Sequence, residues 1–385
     1  MAKYKLGEIC EIVSGSTPKT GIAEYWDGNL KWITPAEIDD ESYIITDSAR
    51  KLTKLGVKKT GLSSFPSGTV ILSSRAPIGK VAIAGCEMYC NQGFKNLICS
   101  DRINNRYLYW FLKGNTAYLN SLGRGATFKE ISKKIVSDIE INVPEISQQL
   151  AAVDALERVS EIIRLRKNQL QKLDELIKAR FVELFGDPLL DDGRYCKAPL
   201  GCLAQVGSSK RIFEKEYVSE GIPFYRTKEI VELSNGNKIS TELFITPKRY
   251  NEIRNEYGVP QAGDLLISAV GTIGVIWIVD GKNDFYFKDG NLLRVANSDN
   301  FMPVYLKCLL ETLICAHKSK MSSGTAYAAL TISTLKEMSV YKVPLAEQSQ
   351  FSTFVSQVDK SKVAVQKSLD EAQLLFDSLM QHYFG

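Results

Sequence analysis

The stretch from Ile146 to Gly186 contains no Pro, and no Gly before its last residue. It is dominated by Leu, Glu, Lys, Gln, Arg and Ala, side chains that lose little freedom in a helix. Apolar residues recur in steps of three and four at Leu156, Val159, Ile163, Leu170, Leu173, Ile177 and Leu184, and Arg166 and Arg180 interrupt the stripe. Pro144 precedes the stretch and Gly186-Asp187-Pro188 closes it, as helix start and stop signals do. The pattern predicts one helix, roughly 60 Å long at 1.5 Å per residue. Typical globular helices run about 8–20 residues. A stripe this long therefore predicts a partner helix lying along it.

A second such stretch is present. Residues Pro344 to Gly385 also start with Pro and carry the apolar stripe Phe354, Val358, Val365, Leu369, Phe376, Leu379 and Tyr383. Pro144 is matched with Pro344, Gln148 with Gln348, Leu173-Asp-Glu175 with Leu369-Asp-Glu371, and Phe185-Gly186 with Phe384-Gly385. The chain reads as a long-period repeat in which each copy ends in a long helix. The apolar stripes of the two helices can bury each other. Arg166 and Arg180 either set their register or snorkel to solvent.

Residues 1–145 and 187–343 read as two mostly β domains with short helices, and 146–186 and 344–385 as the two long helices: an α+β chain with a pseudo-two-fold internal repeat. In the first domain, Leu30–Ile33, Thr69–Ser74, Val81–Ala84, Asn96–Cys99 and Ile139–Val143 have strand character. Asn105–Lys113 predicts a short amphipathic helix. Ser14–Lys19, Arg75–Lys80, Cys90–Lys95 and Gly123–Lys129 carry turn residues. The second domain repeats the order. Leu200-Gly201 answers Leu6-Gly7, and Pro223–Ile230 answers Lys31–Ile38. Gly263–Ser268 answers Gly68–Ser73, Ile273-Gly274 answers Ile78-Gly79, and Lys288-Asp-Gly290 answers Asn91-Gln-Gly93. Val304–Glu311 predicts the second short helix, and Gly324–Tyr327 answers Gly125–Phe128. Residues 208–216 and 234–256 read as loops without a close match in the first copy. Frameworks that repeat while loops differ suit one fold used twice on different ligands.

Hydrophobic residues make up 44% and charged residues 24% of the 385, which indicates a folded chain. No apolar run is long enough to span a membrane and no charged-then-apolar leader is seen, so a cytoplasmic protein is expected. The eight Cys show no CxxC, and two His leave little room for a His-based metal site or triad. The net charge of +4 is mild, so binding to a polyanion has to use local basic patches. Gly56–Gly61 continues as Leu62-Ser63, which breaks the phosphate-loop pattern. Gly271-Thr-Ile-Gly274 has no helix after it and reads as a turn between strands. No motif for S-adenosylmethionine, a nuclease centre or any other cofactor is found, and no catalytic residues, metal or cofactor are expected.

With these features laid out, the chain resembles the specificity subunit of a type I restriction–modification enzyme over its full length. The resemblance is carried by Ser74–Lys80 with its partner Ser268–Val275, by Cys90–Asn96, by Gly125–Phe128, and by the repeated entry into each long helix. It implies two target recognition domains joined by two antiparallel helices that form a coiled-coil spacer. Each domain would read one half of a bipartite site in double-stranded DNA. The subunit itself would be non-catalytic. Two adenine-N6 methyltransferase subunits and, in the full complex, restriction subunits would be its partners, with no membrane involved. Glu157, Arg164, Lys167, Lys178 and Glu183 lie on helix faces that are either solvated or docked by the methyltransferase.

Phosphates and base edges are met by Arg, Lys, Asn, Gln and small hydroxyls on loops. In the first domain the candidates are Lys19, Thr34, Arg75, Lys80, Asn91 and Gln92, together with Arg124, Thr127, Phe128 and Lys129 of the Gly-containing loop. In the second they are Lys210, Arg211, Arg226 and Lys228, then Lys248, Arg249 and Tyr327. Arg226-Thr-Lys228 is expected on a loop after an aromatic strand, and Asn91 and Gln92 can equally be turn caps. Two other readings compete: a lone methyltransferase or nuclease with an unfamiliar site, and a scaffold protein carrying two β domains on a coiled coil. A specificity subunit of a modification-only system is a variant of the reading that the resemblance implies, with catalysis still on partner subunits.

Overall fold

The computed structural model describes residues 2–75, 77–125, 129–190, 193–321 and 329–385. The chain forms two compact units, one of residues 1–167 with 367–385 and one of residues 168–366. The long helices run Ile146–Phe185 and Leu345–Phe384, each of 40 residues.

The first unit opens with Ala2–Lys5 paired antiparallel to Glu140–Val143. A five-stranded sheet follows in the order Cys10–Ser14, Lys95–Cys99, Val70–Leu72, Val81–Ala84, Ile44–Ile45. Trp26–Ile33 lies antiparallel to Arg50–Leu52 and parallel to Tyr89–Cys90 in a smaller sheet. Val81–Ala84 is buried throughout, which is why it reads as a continuous apolar run rather than an alternating strand.

The second unit repeats this topology. Lys197–Pro199 pairs with Ser339–Tyr341. Val206–Gly207, Leu292–Val295, Leu265–Ser268 and Ile276–Ile278 form the larger sheet in that order. Ile222–Tyr225 lies antiparallel to Phe244–Ile245 and parallel to Tyr286–Phe287. Ser73 and Ser268 hold equivalent turns: each hydroxyl accepts from a main-chain N–H beyond the turn, Lys80 N at 2.8 Å and Val275 N at 2.9 Å. Gly271–Gly274 is therefore a turn between two antiparallel strands, as its sequence indicates.

Three expectations need correction. Residues 234–256 are not one unmatched loop. Pro247–Glu256 is a helix capped by Thr246, whose hydroxyl accepts from Arg249 N at 3.2 Å. Its counterpart in the first unit, Lys54–Thr60, is capped by Thr53, which accepts from Gly56 N at 3.1 Å. The second correction concerns Val304–Glu311, which belongs to a longer helix, Pro303–Met321. In the first unit Gly114 and Asn115 divide the same path into Asn105–Gly114 and Thr116–Ser121, with Asn115 Nδ2 donating to the Phe111 carbonyl at 2.8 Å. No Gly or Pro interrupts the second copy between Pro303 and Met321.

The third correction concerns register. Gln149, not Gln148, is the counterpart of Gln348. Gln149 is fully buried, accepts from Asn104 N at 2.8 Å and donates to the carbonyls of Arg102 at 3.0 Å and Pro144 at 2.8 Å. Gln348 does the same with Met302 N at 2.7 Å and the carbonyls of Asn300 at 3.0 Å and Val343 at 2.8 Å. Gln148 is exposed. Pro144 thus corresponds to Val343, and the match with Pro344 is a coincidence of neighbouring residues.

Within each unit, parts of both long helices pack together. In the first, Val159 and Ile163 meet Ala372 among Leu369, Phe376 and Leu379. In the second, Lys362 pairs with Asp174 at 2.6 Å, and Phe351 meets Phe181 with ring centroids 5.4 Å apart. Numbers rise on one helix as they fall on the other, so the pair is antiparallel. Arg180 resolves toward snorkelling: it pairs with Glu183 at 2.8 Å and its guanidinium carbon stands 5.8 Å from the Phe354 ring centroid.

Replacing Gln149 by Leu strands one N–H and two carbonyls, and an unmet buried polar group costs about 1–3 kcal/mol. Gln149→Leu and Gln348→Leu are each expected to destabilise their unit by about 2–4 kcal/mol, measured as a lower midpoint in urea. Gln148→Leu is expected to stay within about 0.5 kcal/mol; an equal loss there would contradict the assigned register.

Candidate nucleic-acid interface

In the first unit, several candidate loops are brought together by main-chain bonds. Ser16 N donates to the Cys90 carbonyl at 3.0 Å, Asn91 N to Ile33 O at 3.1 Å, and Ser74 N to Gly93 O at 2.7 Å. Ile131 N donates to Ser74 O at 3.0 Å. The segments after Ser14, Ile33, Ser73 and Cys90 and the segment around Glu130 therefore form one cluster. Thr17 Oγ1 donates to Gln92 Oε1, tying two loop tips together. The main chains of Arg75 and Arg124 each form an isolated antiparallel β-bridge with that of Glu130.

The candidates differ in what they are free to do. Lys19, Gln92, Arg124 and Lys129 are exposed. Asn91 takes the turn-cap role, its Oδ1 accepting from Gly93 N at 2.8 Å. Thr34 caps a short turn with Glu37, donating from N at 2.7 Å and Oγ1 at 2.8 Å. Lys80 is half-buried and its ammonium donates to the Pro35 carbonyl at 3.0 Å. Beneath the loops, Lys95 is buried with Nζ 3.3 Å from both Ser74 Oγ and Glu130 Oε1. Burial pushes the Cys90 thiol up to about 12, so it stays protonated. Thr127, Phe128 and Tyr327 lie outside the described residues.

The second unit builds the same cluster from different residues. Lys288 N donates to Tyr225 O at 2.9 Å, the counterpart of the Asn91 bond. Arg211 Nε pairs with Asp289 Oδ2 at 2.7 Å, where the first unit has Thr17 and Gln92. Lys210 N donates to the Tyr286 hydroxyl at 2.6 Å, and its ammonium stands 4.7 Å from the Tyr257 ring centroid.

Arg226-Thr-Lys228 does not sit on a loop. Arg226 caps the helix Thr227–Ser234, donating from its main-chain N to Glu229 Oε2 at 2.8 Å and from its guanidinium to Oε1 at 3.0 Å. The hydrogen bond to Glu229 raises the Arg226 pKa, so the guanidinium keeps its charge. In the first copy, Asp39 and Ser42 close a local turn instead, with Ser42 Oγ donating to Asp39 Oδ1 at 2.7 Å, and only the short turn Pro35–Glu37 forms. Lys248 and Arg249 likewise sit in the first turn of Pro247–Glu256. Arg249 pairs with Glu216 at 2.9 Å and Glu252 at 3.2 Å, whereas Lys228 and Lys248 are exposed.

Some residues of this cluster escape a search of the sequence for basic loops. Among the described residues, Ser209 Oγ, Arg226 Nε, Thr227 Oγ1 and Asp289 Oδ1 are buried polar atoms with no hydrogen-bond partner. Ser209, Thr227 and Asp289 are half-buried residues of ordinary loop and cap types, and nothing in the sequence marks one polar atom of each as buried. Among the described residues, no group of three or more His, Cys, Asp or Glu is placed to hold a metal ion, and no helix is long and apolar enough to cross a membrane.

A profile of the family described as the type I restriction modification DNA specificity domain matches the chain twice, over residues 1–175 and 197–372. The chain is 30% identical to the type I restriction enzyme MjaIX specificity subunit of Methanocaldococcus jannaschii, over 98% of this chain and 90% of that protein. A putative type I restriction enzyme specificity subunit of Haemophilus influenzae is 27% identical over 74% of this chain and 71% of its own length. The fold is similar to a solved structure described under complex assembly and conformational transition of the type I R-M system, with a TM-score of 0.60 and 19% identity, covering 100% of this chain and 97% of that one. It is also similar to the crystal structure of an S subunit from M. genitalium, with a TM-score of 0.57 and 16% identity, covering 100% and 96%.

The contact between loops depends on Gly15, where an added Cβ would stand 2.1 Å from the Cys90 carbonyl oxygen and 2.3 Å from that of Asn91. Gly15→Ala is expected to open this contact and accelerate hydrogen exchange at the Ser16 amide by about tenfold or more, since overpacking costs about 1–3 kcal/mol. Gly207→Ala, with nothing within 4 Å of the added atom, is expected to leave exchange in the second unit unchanged.

Proposed function

The chain belongs to the family of type I restriction–modification specificity subunits, and from that premise we propose that it is the sequence-reading, non-catalytic member of such a complex. Residues 1–145 and 187–343 act as two target recognition domains, each reading one half of a bipartite site in double-stranded DNA. The helices of 146–186 and 344–385 join them and carry the surfaces that recruit two adenine-N6 methyltransferase subunits and, in a restricting complex, the restriction subunits. The complex works in the cytoplasm, where the chromosome is accessible.

One observation carries this reading. The same loop cluster is built twice on the same topology, and its contents differ: Thr17 with Gln92 in the first unit, Arg211 with Asp289 in the second. A duplicated structural support would gain nothing from divergent tips, whereas two half-sites of different sequence require them. The exposed Lys19, Arg124 and Lys129, and Lys210, Lys228 and Lys248, supply phosphate contacts around the two clusters.

Deleting the gene is expected to abolish N6-methyladenine at one split motif in the source genome, detected by single-molecule sequencing. Exchanging residues 187–343 for those of a relative is expected to change one half of that motif and leave the other intact. Unchanged methylation after deletion would sink the proposal and favour a scaffold role.

A further inference from the structure

Five buried polar atoms of the second unit lack partners among the described residues; the Tyr305 hydroxyl lies in the hydrophobic core, and the other four belong to one cluster of loops and a helix start. Ser209 lies between Ser208, whose hydroxyl donates to Leu292 O at 2.8 Å, and Lys210, whose N–H donates to the Tyr286 hydroxyl. Asp289 follows Lys288, whose N–H is bonded to Tyr225 O, and Arg226 and Thr227 follow Tyr225 directly. The Arg211–Asp289 pair joins the first of these loops to the last. Desolvating a polar atom without a partner is unfavourable, so four at one place call for a ligand that completes them. The first unit shows no such set in its equivalent loops: among the described residues there, Thr17 and Gln92 partner each other and Asn91 is capped by Gly93 N.

We propose that Ser209, Arg226, Thr227 and Asp289 form the base-reading pocket of the second recognition domain, with Asp289 accepting a hydrogen bond from the exocyclic amino group of an adenine or cytosine in the major groove. This rests on the specificity-subunit reading. The chemistry is selective. A carboxylate only accepts hydrogen bonds, and Asp289 Oδ2 already accepts from Arg211 Nε at 2.7 Å, which leaves Oδ1 for a ligand. Adenine N6 and cytosine N4 are donors, whereas guanine O6 and thymine O4 at the same places are acceptors. Asp289 therefore rejects the keto base that a transition would put there. Arg226 Nε–H is a donor only, and the two hydroxyls can donate or accept. Together they can meet a purine N7, a neighbouring base edge or a phosphate. Gln92 holds the same place in the first unit as Asp289 in the second, so the two domains differ at the residue that reads.

The test uses the full complex with its methyltransferase subunits, read by single-molecule sequencing and by competition binding. Asp289→Asn replaces an acceptor by a group that both accepts and donates. It is expected to make one position of one half-site degenerate by a transition, A becoming A or G, or C becoming C or T, with the other half-site unchanged. An unchanged motif, or a degeneracy by transversion, would overturn the proposal. Should the Asn variant fail to assemble, Ser209→Ala and Thr227→Val decide. Each is expected to lower the ratio of cognate to non-cognate duplex affinity by about tenfold, with non-cognate binding unaltered. An unchanged ratio means these atoms are merely hydrated, and equal losses on both duplexes mean a structural role; either overturns the assignment. A wild-type complex that methylates no split motif removes the specificity reading itself, and this inference with it.

Discussion

Each compact unit is completed by segments of both long helices, and the rest of the structure depends on that sharing. The first unit takes residues 146–167 of one helix and 367–385 of the other, and the second takes the remainder of each. A helix of 40 residues presents more apolar stripe than one small domain covers, so the two stripes cover each other while their ends enter domain cores. Phe185 is buried against Tyr305 and Phe351 of the second unit, and Phe384 packs on Tyr107 and Phe111 of the first. The helices are thus part of the fold of each unit, not tethers added to it.

The entry of each helix is set by one buried amide. Gln149 and Gln348 each satisfy one N–H and two carbonyls where strand, loop and helix meet. An amide offers acceptor and donors on one rigid plane, which suits a junction with both kinds of orphan group. Because both units use the same device, strand, short helix and long helix meet with the same connectivity twice. The loop clusters inherit that connectivity, and they differ in their side chains and in one segment, which is the helix Thr227–Ser234 in the second unit and the short turn Pro35–Glu37 in the first.

Those differences decide what the clusters offer a ligand. In the first unit several named candidates turn inward: Asn91 caps a turn, Thr34 closes on Glu37, and Lys80 donates to a carbonyl. In the second, Arg211, Arg226 and Arg249 each hold a carboxylate. A basic residue on a loop is therefore not by itself a DNA contact. Whether a carboxylate lies within reach depends on pairings distant in sequence, such as Arg211 with Asp289.

The sequence by itself determined the duplication, the two long helices, the strand frameworks around Val81–Ala84 and Leu265–Ser268, and the turn at Gly271–Gly274. All of these follow from periodicity and from Gly and Pro placement, which act over a few residues. Tertiary structure alone decided the register of the repeat, since burial rather than identity separates Gln149 from Gln148. It also decided that Arg226 and Arg249 sit at helix starts, because tertiary contacts hold in helices what local composition left open. Most of all, it decided which polar atoms are buried without partners. Ser209, Thr227 and Asp289 look ordinary in sequence, and the desolvation of their orphan atoms is created by two loops and a helix start that meet only when the sheets have formed.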